Sequence, residues 1–311
     1  MAHCIDAVQD AMTAVSSDQV SNPPRVFTGV NDSGGQLGLM PGALEDLPVY
    51  GTKILSLQPG NQQKGYPSIQ GAVLLFDRDN GAPVALIDGI SITAIRTAAA
   101  SGLATRLLAR ENAKTHGIIG TGVQARYHAD AIACARPSVT QTFIWGRDKQ
   151  KAKFLVDDLS SKLTGQFLLA DAPEQAVQCD VVSTVTASAT PVLKGQWLQA
   201  GAHLNLVGSH EPHKREADTE AIICSSVYVD HLQGALSEAG DLLIPMSEGR
   251  FAKKDIVGEI GALALSQIKG RRTESDITLY KSLGLFAQDL CAAWAVLKAA
   301  DAAGIAETVS F

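Results

Sequence analysis

A glycine-rich segment that could bind a dinucleotide lies at residues 120–125, which read GTGVQA. It directly follows the apolar strand pattern at 117–119 and precedes a helical pattern, as the G-x-G-x-x-G/A fingerprint requires. In that fingerprint Gly120 allows the tight turn, Gly122 removes the Cβ that would block the pyrophosphate, and Ala125 lets helix and strand approach. The phosphates then face the helix N-terminus. The spacing predicts a Rossmann-type nicotinamide site, the alternative being an ordinary Gly-rich turn.

The residues after the second strand of this region bear on which nicotinamide cofactor is bound. Residues 144–148 read IWGRD. An acid at the end of this strand would accept hydrogen bonds from a ribose 2′-hydroxyl and repel a 2′-phosphate, but Gly146 follows Trp145. Arg147 offers a planar, permanently charged donor for a 2′-phosphate. NADP(H) is therefore preferred. NAD(H) is possible, because Asp148 is close by and the alternative interpretation of Arg147 is a solvated turn residue.

Strand and helix patterns alternate around this loop. The segments follow one another at 116–120, 125–135, 141–146, 149–163, 166–170 and 181–186, with further strands expected at 203–207 and 227–230. Such alternation is typical of βαβ units, which build a parallel sheet covered by helices. We therefore predict an α/β fold with a Rossmann-type domain over residues 114–280.

The N-terminal part of the chain has a different pattern. A Gly-rich stretch at 29–42 predicts loops and edge strands. The β-prone runs that follow, separated by turn signals such as Asn80-Gly81, predict an antiparallel sheet. These runs lie at 51–57, 71–77 and 83–88.

Three helices are expected outside the dinucleotide domain. Apolar residues recur at helical spacing over 3–15, and residues 91–110 form an Ala-rich, Pro-free amphipathic pattern. A last Ala-rich helix is expected over 282–300. We predict that residues 1–113 and 281–311 form a discontinuous α+β domain for substrate binding and dimerisation, into which the Rossmann-type domain is inserted.

Composition excludes several classes of protein. Apolar residues make up 46% of the chain and the net charge is −6, so no basic surplus is available for nucleic acid. The five cysteines show no CxxC spacing, which argues against a zinc site or a disulfide framework and favours reduced thiols in a cytoplasm. No apolar stretch approaches the length of a membrane span. We expect a cytoplasmic enzyme without metal, nucleic-acid or membrane partners.

Four motifs in this order resemble the ornithine cyclodeaminase and mu-crystallin family, and the match spans nearly the whole chain. They are ITAIRTAAAS at 92–101, IIGTGVQAR at 118–126, HLNLVGSHEPHKRE at 203–216 and ITLYKSLGLFAQDL at 277–290. The family contains ornithine cyclodeaminases, some alanine dehydrogenases and NADPH-dependent ketimine reductases. The resemblance implies hydride transfer at an α-amino or α-imino carbon and a homodimer formed through the first domain.

The resemblance also implies roles for individual residues. Arg25 and Lys53 correspond to the substrate-contacting Arg and Lys of the family, and their chemistry fits: a guanidinium binds a carboxylate bidentately, and an ammonium can hold it or hydrogen-bond an imine nitrogen. Arg96, on a helix face, would contact the cofactor phosphates. The other family cofactor positions fall on Ser68, Val123, Gln124, Thr186, Lys214 and Ser282.

Two departures from the family pattern matter. Where the cyclodeaminases carry an Asp that does acid–base work during ammonia loss, this chain has His210. His210 could act as a proton donor or be a polar loop residue. The N-terminus is shorter than the family leads us to expect, which leaves open whether the first strand of the substrate domain is present.

These observations favour NADPH-dependent reduction of cyclic ketimine carboxylates such as pyrroline-2-carboxylate or piperideine-2-carboxylate, giving L-proline or L-pipecolate. Lys53 and His210 are the candidate catalytic residues, and Arg25 with Lys53 the candidate substrate-binding residues. The alternatives are an ornithine cyclodeaminase, an alanine dehydrogenase-like activity, and a non-enzymatic small-molecule binder comparable to mu-crystallin.

Overall fold

The computed structural model describes residues 1–309, which form two compact units. One unit comprises Met1–Ile5 and Thr97–Gly284, and the other comprises Asp6–Arg96 together with the segment from Leu285 onward. Helices α1 (Ala2–Ser16) and α2 (Gly89–Leu108) each contribute residues to both units. The sequence analysis placed the boundaries after residues 113 and 280. We name the units by their sheets, the parallel unit and the antiparallel unit.

The antiparallel unit is built on a six-stranded sheet. Its strands are β1 (Val20–Ser21), β2 (Val26–Gly29), β3 (Gln36–Leu44), β4 (Val49–Leu57), β5 (Ile69–Asp77) and β6 (Pro83–Asp88). The order is β1-β3-β4-β5-β6, with β2 also paired to β3. The three antiparallel strands predicted from the sequence are confirmed as β4, β5 and β6.

The prediction of loops and edge strands over 29–42 was wrong for residues 36–42. Strand β3 begins at Gln36 and lies inside the sheet, between its partners β2 and β4. The glycines of β3 allow neighbouring side chains to pack closely against its backbone. A Cβ on Gly38 would lie 2.6 Å from the ring of Phe27, its cross-strand partner. A glycine in a strand can thus mark a close approach of another group as well as a break.

Helix α10 (Phe286–Ala303) returns to this unit and packs against β3, β4 and β5. Its first residue packs directly on β3, since a Cβ on Gly42 would lie 2.8 Å from the Phe286 ring. The predicted helix over 282–300 begins too early. Residues just before it form a strand, and Ser282 continues this strand by donating its N–H to the carbonyl of Leu206 at 3.0 Å. The helix ends at Gly304, whose φ of 65° is the left-handed C-cap conformation that glycine favours.

The parallel unit contains an eight-stranded sheet in which every pairing is parallel. Its strands are β7 (Thr115–Ile119), β8 (Gln141–Trp145), β9 (Gln166–Leu169), β10 (Val181–Thr184), β11 (His203–Leu206), β12 (Ser225–Val229), β13 (Ile256–Glu259) and β14 (Ile277–Lys281). Their order is β13-β12-β14-β11-β10-β7-β8-β9. The predicted parallel sheet is confirmed.

α-Helices connect most of these strands. They are α3 (Val123–Ala135), α4 (Lys149–Lys162), α5 (Pro173–Val177), α6 (Thr219–Ile223), α7 (Leu232–Glu238), α8 (Gly240–Ser247) and α9 (Ile260–Ala264). The sequence analysis found the strands as far as β12 but not β13 or β14. Strand β14 is the last in the chain, yet it lies between β11 and β12. Short apolar runs such as these carry little periodic signal of their own.

Burial on both faces of the parallel sheet leaves no room beside β7. A Cβ on Gly117 would lie 1.6 Å from the carbonyl oxygen of Ala176 in α5. We predict that Gly117→Ala lowers the free energy of unfolding by about 3 kcal/mol, because backbone must move to admit the methyl group. The measurement is urea unfolding of the purified variant.

Gly122→Ala is the matched control, since nothing lies within 4 Å of its added Cβ and its φ of −86° suits any residue. Its free energy of unfolding should stay within about 0.5 kcal/mol of the parent value. An unchanged unfolding midpoint for Gly117→Ala would contradict the packing described for β7.

Candidate active site

Lys53 lies on the covered face of the antiparallel sheet. In β4, Val49, Gly51 and Lys53 alternate with more exposed residues, so the strand period of two turns Lys53 toward α10. Only 2% of Lys53 is exposed. A lysine is rarely buried to this degree unless its ammonium is paired. A group of opposite charge is therefore expected beside the Lys53 ammonium.

The partner is Asp289, in the first turn of α10. The Lys53 ammonium donates to Asp289 Oδ2 at 2.6 Å, and Arg96 Nε donates to Oδ1 of the same carboxylate at 3.0 Å. Arg96 also donates from Nη1 to Gln288 Oε1 at 2.9 Å. Asp289 is fully buried. These residues are called the Lys53–Arg96–Asp289 cluster below.

Burial sets the protonation behaviour of Lys53. Removal from water lowers its pKa to about 8, and the positive charges of Arg96 and Arg25 act in the same direction. The Asp289 carboxylate opposes them through its charge and its hydrogen bond. Lys53 is thus an ammonium that can release its proton near neutral pH, as a proton donor in catalysis must.

The structure brings Arg25, Lys53 and Arg96 into the same unit. Arg25 is half-buried directly before β2, and its charge is felt at Lys53. Two cations, Lys53 and Arg96, share the single carboxylate of Asp289, and this excess of positive charge suits an anionic ligand. The sequence analysis assigned Arg96 to the cofactor phosphates, whereas its guanidinium here bonds Asp289 and Gln288. The phosphate role of Arg96 stays a prediction.

Sequence reasoning missed Asp289. The residue stands in the motif ITLYKSLGLFAQDL, in the first half of an Ala-rich helix, where all residues over 286–293 are buried. An acid at a core position of an Ala-rich helix is a signal that could have been used, because such a group is seldom buried without a cation. The identity of that cation could not be read from the sequence, since Lys53 lies 236 positions away.

The dinucleotide loop has the features that the sequence predicted. Gly120 has φ 131°, a conformation that favours glycine, and a Cβ there would meet the carbonyl oxygen of Val185 at 2.7 Å. Gly122 faces open space, and α3 begins at Val123. The main-chain carbonyl of Gln124 bonds the buried His128 ring at 2.8 Å, which fixes the first turn of the helix. These glycines fit the backbone approach that a pyrophosphate needs.

A cleft of about 690 Å³ lies beside this loop. It is lined by Thr121, Gly122, Val123, Arg126, Asp148, Gln150, Lys151, Phe154 and Leu155. Gly146, after β8, cannot carry a side chain without rearrangement, since its Cβ would lie 2.4 Å from Thr121 Cγ2. The usual position for a ribose-binding acid is thus occupied by a glycine, and a side chain there would require Thr121 to shift.

The side chain of Asp148 is held by hydrogen bonds, whereas the side chain of Arg147 is exposed. Asp148 is the N-cap of α4, its Oδ1 accepting hydrogen bonds from the N–H groups of Gln150 at 3.0 Å and Lys151 at 3.1 Å. Arg147 is exposed at the end of β8. The acid that argued against NADP(H) is thus occupied in capping a helix.

Thr186, His210 and Ser282 follow β10, β11 and β14, three neighbouring strands whose carboxyl ends meet at the same edge of the parallel sheet. Ligands of open α/β sheets bind at this edge. His210 is exposed there, and Lys214 in the same loop pairs with Glu211 at 2.5 Å. Ser68 belongs to the antiparallel unit, where its carbonyl accepts from the N–H of Gln58 at 2.8 Å.

Two kinds of feature are absent from residues 1–309. No three His, Cys, Asp or Glu side chains in this range are grouped to hold a metal ion. No helix in the same range has the length and apolarity to cross a membrane.

The arrangement of the Lys53–Arg96–Asp289 cluster predicts unequal roles in stability. Asp289→Asn should lower the free energy of unfolding by about 3 to 5 kcal/mol, because it leaves two buried cations without their counter-charge. Lys53→Met keeps the Arg96–Asp289 pair and removes a buried ammonium, so its effect should stay below about 1.5 kcal/mol. Denaturant unfolding of both variants at pH 7 is the measurement, and equal losses would contradict the central role of Asp289.

Known proteins resemble this chain over most of its length. A Delta(1)-pyrroline-2-carboxylate reductase of Bacillus cereus is 34% identical over 303 residues, covering 97% of this chain and 93% of that protein. A protein of the same name from Colwellia psychrerythraea is 37% identical over 253 residues, covering 80% of each chain.

Solved structures give the same picture. The Thermococcus litoralis Delta(1)-pyrroline-2-carboxylate reductase in complex with NADH and L-proline superposes with a TM-score of 0.93 at 35% identity, covering 98% of this chain and 95% of that one. An archaeal alanine dehydrogenase dimer with bound NAD has a TM-score of 0.92 at 29% identity, covering 100% and 95%. The profile of the ornithine cyclodeaminase/mu-crystallin family matches residues 1–304. This chain therefore belongs to the ornithine cyclodeaminase/mu-crystallin family.

Proposed function

We propose that this protein reduces cyclic ketimine carboxylates, with pyrroline-2-carboxylate and piperideine-2-carboxylate as candidate substrates and L-proline and L-pipecolate as products. The observation that carries the proposal is the buried Lys53, bonded to Asp289 and flanked by Arg25 and Arg96. An acidic ammonium beside an excess of positive charge suits a substrate that has both a carboxylate and a basic imine nitrogen. The relatives named pyrroline-2-carboxylate reductases support the same substrate class.

The residues of the antiparallel unit have distinct tasks in this reaction. Arg25 binds the substrate carboxylate through its planar fork and fixes the orientation of the ring. Lys53 donates a proton to the imine nitrogen, because an iminium accepts hydride far better than a neutral imine. Asp289 keeps Lys53 and Arg96 in place and balances part of their charge. The nicotinamide cofactor, when bound, supplies the hydride.

His210 favours reduction over ammonia loss. It occupies the position where the sequence comparison expects the acid of a cyclodeaminase, and a histidine cannot replace a carboxylate as an anionic base. Glu211 beside it is bonded to Lys214, which lowers the pKa of its carboxyl. Deamination of ornithine, alanine dehydrogenase activity and binding without turnover are alternative outcomes of the assay below.

We further propose a homodimer formed through the antiparallel sheet, and a cytoplasmic location. The face of that sheet opposite Lys53 exposes Leu37, Leu39, Tyr50 and Leu86, and Leu86 alone is 72% exposed. An apolar face of this kind is typical of a subunit interface. The related alanine dehydrogenase structure is described as a dimer. All five cysteines, each within the described residues, are free thiols, which supports a reducing compartment.

The test of the function is a turnover assay on the purified protein. We expect oxidation of NADPH with pyrroline-2-carboxylate or piperideine-2-carboxylate, and no ammonia above background from ornithine with NAD. The value of kcat/KM should fall as the pH rises through about 8, because the ammonium form of Lys53 is lost above its pKa. Ammonia release from ornithine without imine reduction would replace this proposal by a cyclodeaminase.

Substitutions of Lys53 test its proposed role as the proton donor. Lys53→Met should lower kcat and kcat/KM together, by about 10²- to 10⁴-fold, as the loss of a general acid does. Lys53→Arg should not restore turnover, since a guanidinium does not release its proton near neutral pH. A near-normal kcat with a raised KM would assign Lys53 to carboxylate binding and transfer the proton-donor role to His210 or water.

Cofactor preference is a separate prediction. We propose that NADP(H) is preferred, supported by the exposed Arg147, the packed Gly146 and the capping role of Asp148. NADPH should exceed NADH in catalytic efficiency, and Arg147→Ala should narrow the difference by about 1.5 to 3 kcal/mol, the contribution of a hydrogen bond to a charged group. Equal catalytic efficiency with NADPH and NADH in the parent enzyme would refute the preference. The comparison is needed because the structure of the Thermococcus relative contains NADH.

A further inference from the structure

A second buried carboxylate stands at the carboxyl edge of the parallel sheet. Glu216 is fully buried and accepts four hydrogen bonds from neutral donors. Its Oε1 accepts from the N–H and the hydroxyl of Thr186, both at 2.7 Å. Its Oε2 accepts from the Thr184 hydroxyl at 2.8 Å and from the N–H of Gly208 at 2.6 Å. One carboxylate thus joins the ends of β10 and β11.

The backbone of Glu216 is held as firmly as its side chain. Its N–H donates to Asp241 Oδ1 at 2.8 Å, and its carbonyl accepts from the N–H groups of Val192 at 2.7 Å and Leu193 at 3.0 Å. The other oxygen of Asp241 pairs with the fully buried Lys281 at 2.9 Å. The carboxylate therefore has little freedom to move away from its four donors.

Lys281 holds the same loop from a second point. Its ammonium donates to the carbonyl of Ser209 at 2.6 Å, while Glu216 accepts from the N–H of Gly208. The two residues that precede His210 are thus each bonded to a buried charged side chain. The packing here is also close, because a Cβ on Gly208 would lie 2.0 Å from the carbonyl oxygen of Thr186.

Such an arrangement is costly for stability alone. Burial and the nearby Asp241 carboxylate raise the pKa of Glu216, and its four direct partners carry no positive charge. Well-packed apolar residues often stabilise a core as well as buried ionic groups do. The carboxylate lies at the sheet edge where ligands of this fold bind, directly beneath Thr186 and the loop of His210.

We propose that Glu216 is a positioning residue for the reaction. Its carboxylate fixes Thr186 and the N–H of Gly208, and so sets where Thr186 meets the cofactor and where His210 stands. This role rests on the proposed function for its effect on turnover, and on the predicted cofactor role of Thr186 for its effect on binding.

The opposite end of the same sheet offers a matched control. Asp180 also joins neighbouring segments, accepting from Arg110, from the N–H groups of Lys114 at 2.7 Å and Thr115 at 3.0 Å, and from the Thr115 hydroxyl at 3.0 Å. It stands before β10, at the amino edge, away from Thr186 and His210. Asp180→Asn therefore removes a multiply bonded carboxylate without touching the proposed positions.

The experiment compares Glu216→Gln with Asp180→Asn. The dissociation constant of NADPH is measured without substrate, and kcat and KM are measured with pyrroline-2-carboxylate. For Glu216→Gln we expect the dissociation constant to rise by about tenfold and kcat to fall by at least as much, because an amide NH₂ replaces an acceptor facing several donors. Asp180→Asn should lower the unfolding midpoint and keep all three constants within about twofold.

A second variant tests the same role of Glu216 if Glu216→Gln folds poorly. Thr184→Val has nearly the same shape and removes one of the four hydrogen bonds, so it should change the same constants in the same direction by a smaller factor of about threefold. The proposal is overturned if Glu216→Gln or Thr184→Val loses stability only, as expected for Asp180→Asn. If the parent protein binds NADPH but reduces no cyclic imine, the proposed function fails, and the NADPH dissociation constants still decide the role of Glu216.

Discussion

The carboxylate of Asp289 makes it possible to bury the ammonium of Lys53. Charged groups of opposite sign must meet at hydrogen-bond distance when they leave water, because the loss of solvation is otherwise uncompensated. Here a single carboxylate serves both Lys53 and Arg96, at 2.6 and 3.0 Å. Strand β4, helix α2 and helix α10 each contribute one member of the cluster, so the chemistry of Lys53 depends on how these elements pack.

This balance also explains the acidity of Lys53. Burial alone would suppress the ammonium, whereas the Asp289 carboxylate restores part of it, and the result is a pKa of about 8. A donor of this strength is charged near neutral pH and can still release its proton. A lysine exposed to solvent would hold its proton too firmly for the proton donation proposed for Lys53. The same interaction thus links the stability of the antiparallel unit to its chemistry.

In the parallel unit, buried charged groups also form hydrogen bonds, and here they hold loops in position. Its loops must present Thr186, His210 and the dinucleotide glycines at one sheet edge, and loops are ordinarily the more mobile parts of a fold. Buried Glu216, Asp241 and Lys281 hold the loops of Thr186 and His210 against the sheet. Gly120 and Gly208 allow close approaches of the backbone at this edge. Buried charged side chains therefore fix the positions of these loops at the carboxyl edge of the parallel sheet.

Patterns along the chain were enough to predict the secondary structure around the dinucleotide loop, the antiparallel strands β4 to β6, and the family to which the chain belongs. These features depend on local periodicity, on glycine spacing and on ordered motifs, all of which are visible in one dimension. Which charges meet became known from the folded chain alone. Asp289 and Lys53 are 236 positions apart, Glu216 binds Thr184 and Thr186 across a loop, and β14 enters the sheet between β11 and β12. Tertiary packing brings such partners together. Because they are far apart in the chain, no local sequence pattern indicates which residues will meet.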